Sequence, residues 1–216
     1  MQSQGRHYTL VELLVTMAII GVLLSIGMPA FEKIAKGNKV TAATNNLGGA
    51  FGLARSQAIL TRKYVAIVLP TANLTPNHLF KSYRLCYIKT PSNSSATTFE
   101  FDSWLGDNAW KFFPDGVIIA DADQTAGYQT AAWPKNLSQI NNVDCSDLGQ
   151  GTKTLYGVIF TPYGNITPLN DLYVLITEGS NDGSTVIFTN RDASNKPANY
   201  LEIILSAFTG RASYRG

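Results

Sequence analysis

Histidine and cysteine are scarce in this 216-residue chain, at two each, and charge is sparse, with 17 basic and 15 acidic side chains. Each scarcity removes a class of function. His78 is the one histidine beyond position 37, and no Gly-x-Ser-x-Gly, His-Glu-x-x-His or phosphate-binding loop occurs. Triad hydrolysis, zinc hydrolysis and nucleotide chemistry therefore lack their residues, and the chain reads as a non-enzyme. Cys86 and Cys145 have no histidine or second cysteine at ligand spacing, which argues against a metal site. Asp121 and Asp123 form an acidic pair without the rest of a calcium loop. No cofactor and no small-molecule substrate is expected. From Gly37 onward 14 basic side chains meet 13 acidic ones, so no global field draws the chain to nucleic acid or an anionic surface, and any such binding would be local. Low-complexity segments and internal repeats are absent as well.

What the chain does have is a long apolar run, YTLVELLVTMAIIGVLLSIGMP, from Tyr8 to Pro29. Its length suits a helix crossing a bilayer core. Glu12 is the single charge inside it. A charged side chain at the centre of a membrane helix costs about 2.5 to 3.5 kcal/mol on insertion scales, so a lone carboxylate among apolar residues needs a partner. The positive end of the helix dipole contributes at most about 1 kcal/mol, which leaves the need unmet; a free amino terminus nearby would do more. An ordinary signal-anchor helix is the plain alternative. A cleaved secretory signal fits worse, because its apolar region would be shorter and end in small residues. Gly21 and Ser25 offer a small-residue face to another helix. Pro29 removes the hydrogen bond to the Ser25 carbonyl, and with Gly27 it is expected to loosen the helix.

Beyond this run Val40, Ala43, Leu47, Ala50, Phe51, Ala54 and Ala58 recur at three- and four-residue steps, the pattern of an amphipathic helix with one core face. Gly48 and Gly49 invite a kink there. From Tyr64 the period becomes extended. YVAIVL, KSYRLCYIK, TTFEF, WKFF, VIIA, TLYGVIFT, LYVLIT, STVIFT and NYLEIILSA are short runs rich in β-branched and aromatic residues, punctuated by Pro-Asp-Gly, Pro-Tyr-Gly-Asn and Asn-Asp-Gly turns. Strands without intervening helices imply antiparallel sheets on which one long helix packs, an α+β fold. The polar stretch 121–151 reads as a surface loop. The expected organisation is a leader at 1–7, a transmembrane half of the helix at 8–29, an amphipathic half at 30–63, and a β-rich domain at 64–216. On the oxidising side of a membrane Cys86 and Cys145 would form a disulfide; two free buried thiols are the alternative.

The string Y-T-L-V-E-L-L-V, followed by an apolar helix and a proline, resembles the amino-terminal region of type IV pilins and type II secretion pseudopilins. The resemblance implies a leader removed by a membrane prepilin peptidase, with Tyr8 as the new, methylated terminus. It also implies that Glu12 pairs with the amine of a neighbouring subunit and that Pro29 is the helix-loosening proline. Where the family has glycine before the cut, this chain has His7; cleavage after Gly5 would place Glu12 at the seventh position instead of the fifth. Within the second half of the helix, Leu47, Ala50, Ala54, Arg55, Ser56, Ala58 and Ile59 are similar to the A-R-S-x-A-I segment of the GspH/FimT family of minor pilins and pseudopilins. Trp104, Gly106, Trp110, Phe112, Asp115 and Gly116 resemble another of its segments, as do V-I-F-T-P-Y-G and I-I-L-S-A-F-T-G-R. The resemblance implies a single-pass inner-membrane protein with a periplasmic domain that joins a pilus or pseudopilus, near its tip and helping to start assembly.

The tail carries a second possibility. Arg211, Tyr214 and Arg215 put two guanidinium groups and an aromatic ring on a short segment that could grip phosphates and stack on a base. One branch of the family uses a Gly-Arg-x-Arg tail for DNA capture in natural transformation; here Arg211 matches and Arg215 is displaced. The contrary reading has Arg211 close the last strand or pair with an acid such as Glu202.

Overall fold

The computed structural model describes residues 9–89, 98–106, 109–121, 137–183, 185–193 and 196–215, without the side chains of 26–37 and of Asp121. The expected leader at 1–7 and Tyr8 lie outside these residues. The chain divides into two compact units, Met1–Asn38 and Lys39–Gly216. One helix, α1 (Leu10–Thr61), supplies residues to both.

In the first unit α1 begins at a cap. Thr9 Oγ1 accepts the Glu12 amide at 3.2 Å, which satisfies one of the four donors a helix start leaves free. The hydroxyls of Thr16 and Ser25 return to the Leu13 and Val22 carbonyls at 2.9 and 2.7 Å, so these two hydroxyls are bonded within the run. The backbone stays α-helical through position 29, where loosening was expected. Among the described residues no helix is long and apolar enough to cross a membrane. The side-chain description of the run ends at Ser25, short of the expected span to Pro29.

The second unit is built on the remainder of α1. Val40, Ala43, Thr44, Leu47, Ala50, Phe51, Ala54 and Ala58 are buried at the predicted steps, and the Thr44 hydroxyl is satisfied by the Val40 carbonyl. The helix does not break at Gly48–Gly49. Gly48 is instead a contact: a Cβ there would lie 2.1 Å from the Tyr214 hydroxyl. Arg62, with φ of 53°, takes the left-handed position that ends the helix.

The strands follow as β1 (Tyr64–Val68), β2 (Ser82–Ile88), β3 (Thr98–Trp104), β4 (Lys111–Phe112), β5 (Val117–Asp121), β6 (Ser138–Asp144), β7 (Thr152–Phe160), β8 (Ile166–Thr167), β9 (Leu172–Asn181), β10 (Val186–Phe188), β11 (Tyr200–Leu205) and β12 (Ala212–Arg215). They form two sheets. In the first, the order β1-β2-β3-β6-β7 closes on itself because β1 also pairs with β7; β4 extends β2, and β8 extends β7. β1 is thus buried on both faces, which is why it reads as an unbroken apolar run. In the second sheet the order is β10-β9-β11-β12, with β5 also on β9. The segment after β1 ties the sheets together, since Ile119 of β5 donates to the Phe80 carbonyl at 2.8 Å.

Two expectations need correction. The 121–151 stretch is not wholly a surface loop, because 138–144 is strand β6, with Ser138, Ile140 and Val143 buried. A bulge between Ile140 and Val143, with Asn142 at φ of 56°, breaks the two-residue period that would have revealed it. The sheets are not purely antiparallel either, since β3 and β6 run parallel.

Closure of the first sheet depends on a close approach at Gly157, where a Cβ would lie 2.5 Å from the Ile67 carbonyl oxygen. Gly157→Ala should therefore lower the unfolding free energy by about 1 to 3 kcal/mol through overpacking. Gly49→Ala, on an open face of α1 with nothing within 4 Å, should raise it by about 0.5 to 1 kcal/mol. Chemical denaturation of the two variants in detergent measures both signs.

Candidate functional site

At the start of α1 the side chains of Leu10, Val11, Leu13, Leu14, Val15, Met17, Ile19, Ile20, Val22, Leu23 and Leu24 are all exposed, and so is Glu12. An amphipathic surface helix would bury one side; this one is apolar all round. The proposed cut-site residues His7, Tyr8 and Gly5 lie outside the described residues. Of the sequence-based candidates here, the structure describes Glu12 and the backbone at Pro29. Thr9 was missed, although T-x-x-E ahead of an apolar run is the spacing of a capping box and was there to be read.

The motifs of the second unit converge on Arg55. Its Nε donates to the Gly164 carbonyl at 3.1 Å and to the Thr209 carbonyl at 2.7 Å. Gly164 lies in the turn between β7 and β8, and Thr209 in the turn between β11 and β12, so one guanidinium on the helix joins a turn from each sheet. Gly210, at φ of 60°, closes the contact: a Cβ there would sit 2.2 Å from the Gly164 carbonyl oxygen. The three segments A-R-S, P-Y-G and T-G-R, far apart in sequence, are thus one assembly in space. The sequence reading gave the small residues of the helix a role and Arg55 none.

A charge-assisted bond to a carbonyl contributes about 1.5 to 3 kcal/mol. Arg55→Ala should destabilise the unit by about 2 to 3 kcal/mol, and Ser56→Ala, at the exposed neighbouring position, by under about 0.5 kcal/mol. Thermal unfolding in detergent distinguishes them.

The Trp104–Gly116 motif surrounds a second arginine. The Arg84 guanidinium lies 3.9 Å from the centre of the Trp104 ring and 5.9 Å from that of Trp110, and it bonds Asp147 at 2.7 Å. Trp104 Nε1 donates to the Asp144 carbonyl at 3.1 Å, holding the ring in place. His78 sits between Trp110 and Phe112, with ring centres 5.5 and 5.0 Å away, and bonds the Thr75 hydroxyl through Nδ1. Burial lowers the His78 pKa from its ordinary 6.5, and the nearby Asp147 only partly offsets this. A histidine whose pKa is depressed in the folded state stabilises the fold above its unfolded value and loses that contribution as pH falls. Wild-type stability should therefore decline below about pH 6.5 more steeply than that of His78→Gln, as measured by urea midpoints from pH 7.5 to 5.

Cys86 and Cys145, expected as a disulfide with free buried thiols as the alternative, are both free and buried in this structure. Cys86 lies inside β2 and Cys145 directly after β6; β3 stands between those strands in the sheet. Burial pushes the Cys86 thiol far above its ordinary range, and raises Cys145 to about 11 with help from Asp147 and Asp144. Buried protonated thiols of this kind are chemically quiet.

In the tail, Arg211, Tyr214 and Arg215 are all exposed, but they do not share one face. β12 pairs with β11 so that Tyr214 and Arg215 fall on opposite faces. The Tyr214 ring lies against Gly48, and Arg215 stands opposite the buried Glu202. The expected three-residue grip is thus divided between two faces. An open cleft of about 480 Å³ is lined by Asn46, Gly49, Ala50, Leu53, Tyr83, Lys111 and Phe112. Its ionisable groups, Lys111 and Tyr83, include no carboxylate or histidine for acid–base work. Among the described residues no group of three or more His, Cys, Asp or Glu could hold a metal ion.

No family model and no curated protein matches the chain. Among solved structures, the chain is similar to the Pseudomonas aeruginosa type IV minor pilin FimU, at 15% identity over 83% of this chain and 90% of that one, with a TM-score of 0.44. It is likewise similar to the minor pseudopilin EpsH of the Vibrio cholerae type 2 secretion system, at 6% identity over 82% of this chain and 94% of that one, with a TM-score of 0.41.

Proposed function

We propose that the chain is a minor structural subunit of a type IV pilus or type II secretion pseudopilus. The observation that carries this reading is the start of α1: apolar on every side, its hydroxyls bonded internally, and interrupted by the single carboxylate of Glu12. Such a rod suits lipid before assembly and the packed interior of a fibre afterwards. In both places Glu12 needs a positive partner that the described residues around it do not supply. The amino-terminal string and the ordered motifs of the second unit support the same family.

In this reading the Tyr8–Pro29 segment waits in the inner membrane as a single pass with the β-rich domain in the periplasm. A prepilin peptidase removes the leader, and Tyr8 becomes the methylated terminus. Glu12 then pairs with the amine of a neighbouring subunit as the helix leaves the bilayer. A place near the tip, where the subunit helps start assembly, follows from the resemblance to minor pilins. DNA capture through Arg211 and Arg215 is the alternative; their exposure favours it, and the placement of Tyr214 on the other face of the strand from Arg215 weighs against a single grip.

Glu12→Ala tests the reading. Membrane retention should be unchanged or stronger, while incorporation into filaments, scored by the protein's presence in sheared fibre fractions, should fall about tenfold or more. Normal incorporation of the variant would refute the pairing role.

A further inference from the structure

The first sheet loses its strand edges by closing, whereas the second stays open and ends at β12. Ser206 donates to the Arg211 carbonyl at 3.0 Å, which sets the alternation of the β11–β12 ladder. By that alternation the amide and carbonyl groups of Ala212 and Tyr214 point away from β11. Among the described residues no strand pairs with that side. An unpaired edge is a template for another strand.

This edge is held ready. Arg55 bonds the Thr209 carbonyl just before the strand, and the Tyr214 ring is seated on Gly48 near its end. Both pins belong to the helix, so an incoming strand would not have to order β12 first, which removes a usual cost of binding. The edge is also charged. Arg211 and Arg215 are exposed, and among the described residues neither is joined to an acid in an ion pair.

Those features select the occupant. In an antiparallel pairing of two copies centred on Ser213, Arg211 of each would face Arg215 of the other, and like charges directly opposite are destabilising. A nucleic-acid backbone offers acceptors only, whereas this edge presents carbonyls as well as amides. The Tyr214 ring rests against Gly48 on the other face of the strand from Arg215, and Arg215 has a carboxylate, Glu202, across the strand pair. An extended peptide matches both the alternating donors and acceptors and, if acidic, the two guanidinium groups.

We propose that β12 is a docking edge for an extended segment of another protein, which adds to the second sheet beside β12 and places carboxylates four residues apart near Arg211 and Arg215. Strand addition of this kind takes its affinity from main-chain bonds and its specificity from alternate side chains. The inference rests on the second unit alone and survives if the pilus reading fails.

The test uses the full chain in detergent micelles and four probes: the peptide acetyl-TEVTVET-amide, the same peptide with lysine for glutamate, the acidic peptide N-methylated at alternate amides, and a short DNA duplex. The acidic peptide should slow hydrogen exchange at the Ala212 and Tyr214 amides by about tenfold or more at saturation, and N-methylation should weaken its binding by about tenfold. Combined Arg211→Glu and Arg215→Glu should reverse the preference towards the lysine peptide, a gain that misfolding cannot mimic. Unchanged exchange at Ala212 and Tyr214, equal binding of the N-methylated peptide, or no reversal on charge inversion would overturn the proposal. Protection of β12 by the duplex and not by the acidic peptide would overturn it in favour of nucleic acid.

Discussion

The second unit depends on one buried helix face. The two sheets share no strand pairing among the described residues; beyond single backbone bonds such as Ile119 to Phe80, residues 40–58 of α1 hold them together. Phe51 meets Phe160 of the closed sheet with ring centres 6.3 Å apart, while Gly48 receives Tyr214 of the open sheet. Arg55 joins a turn of each. The alanines and glycine of this face act by leaving room, and Arg55 adds direction, which apolar burial alone does not provide. Taking the helix away would leave two half-covered sheets.

Much of this architecture is legible in the residues, because the signals that specify it are local. Three- and four-residue spacing marks the helix, and runs such as YVAIV and LYVLIT mark strands whose burial follows. What sequence did not yield is non-local or locally disguised. Strand β6 hid behind the bulge at Asn142 and its polar neighbours. Closure of the first sheet turns on whether β7 can approach β1, a matter of one missing Cβ at Gly157 that no periodicity displays. The two cysteines illustrate the same limit. Compartment argues for a bridge, yet in the fold both thiols are free and buried.

The tail shows how a motif can keep its residues and change its meaning. Arginine, tyrosine and arginine in a short segment read as one recognition surface while the chain is treated as a string. Once positions 212–215 join a sheet, neighbours alternate between faces. Tyr214 becomes part of the helix contact, and the backbone between the arginines gains importance because it lies on an edge. A residue list alone contains no edge. It emerges only from the order of strands.

Two features of the chain are left without internal partners among the described residues, and their chemistry differs. At Glu12 the deficit is a positive charge within an apolar surface, a need that grows as water is removed. At β12 the deficit is a row of hydrogen-bond partners, a need that persists in water and is answered by geometry more than by charge. A partner suited to one is unsuited to the other: an amine beside an apolar helix cannot complete a sheet, and an acidic strand would worsen the isolation of a carboxylate. If both are satisfied by other proteins, they are satisfied by different segments. The chain would then be a connector between dissimilar neighbours rather than one unit of a uniform lattice, which is the physical sense in which such a subunit would be minor.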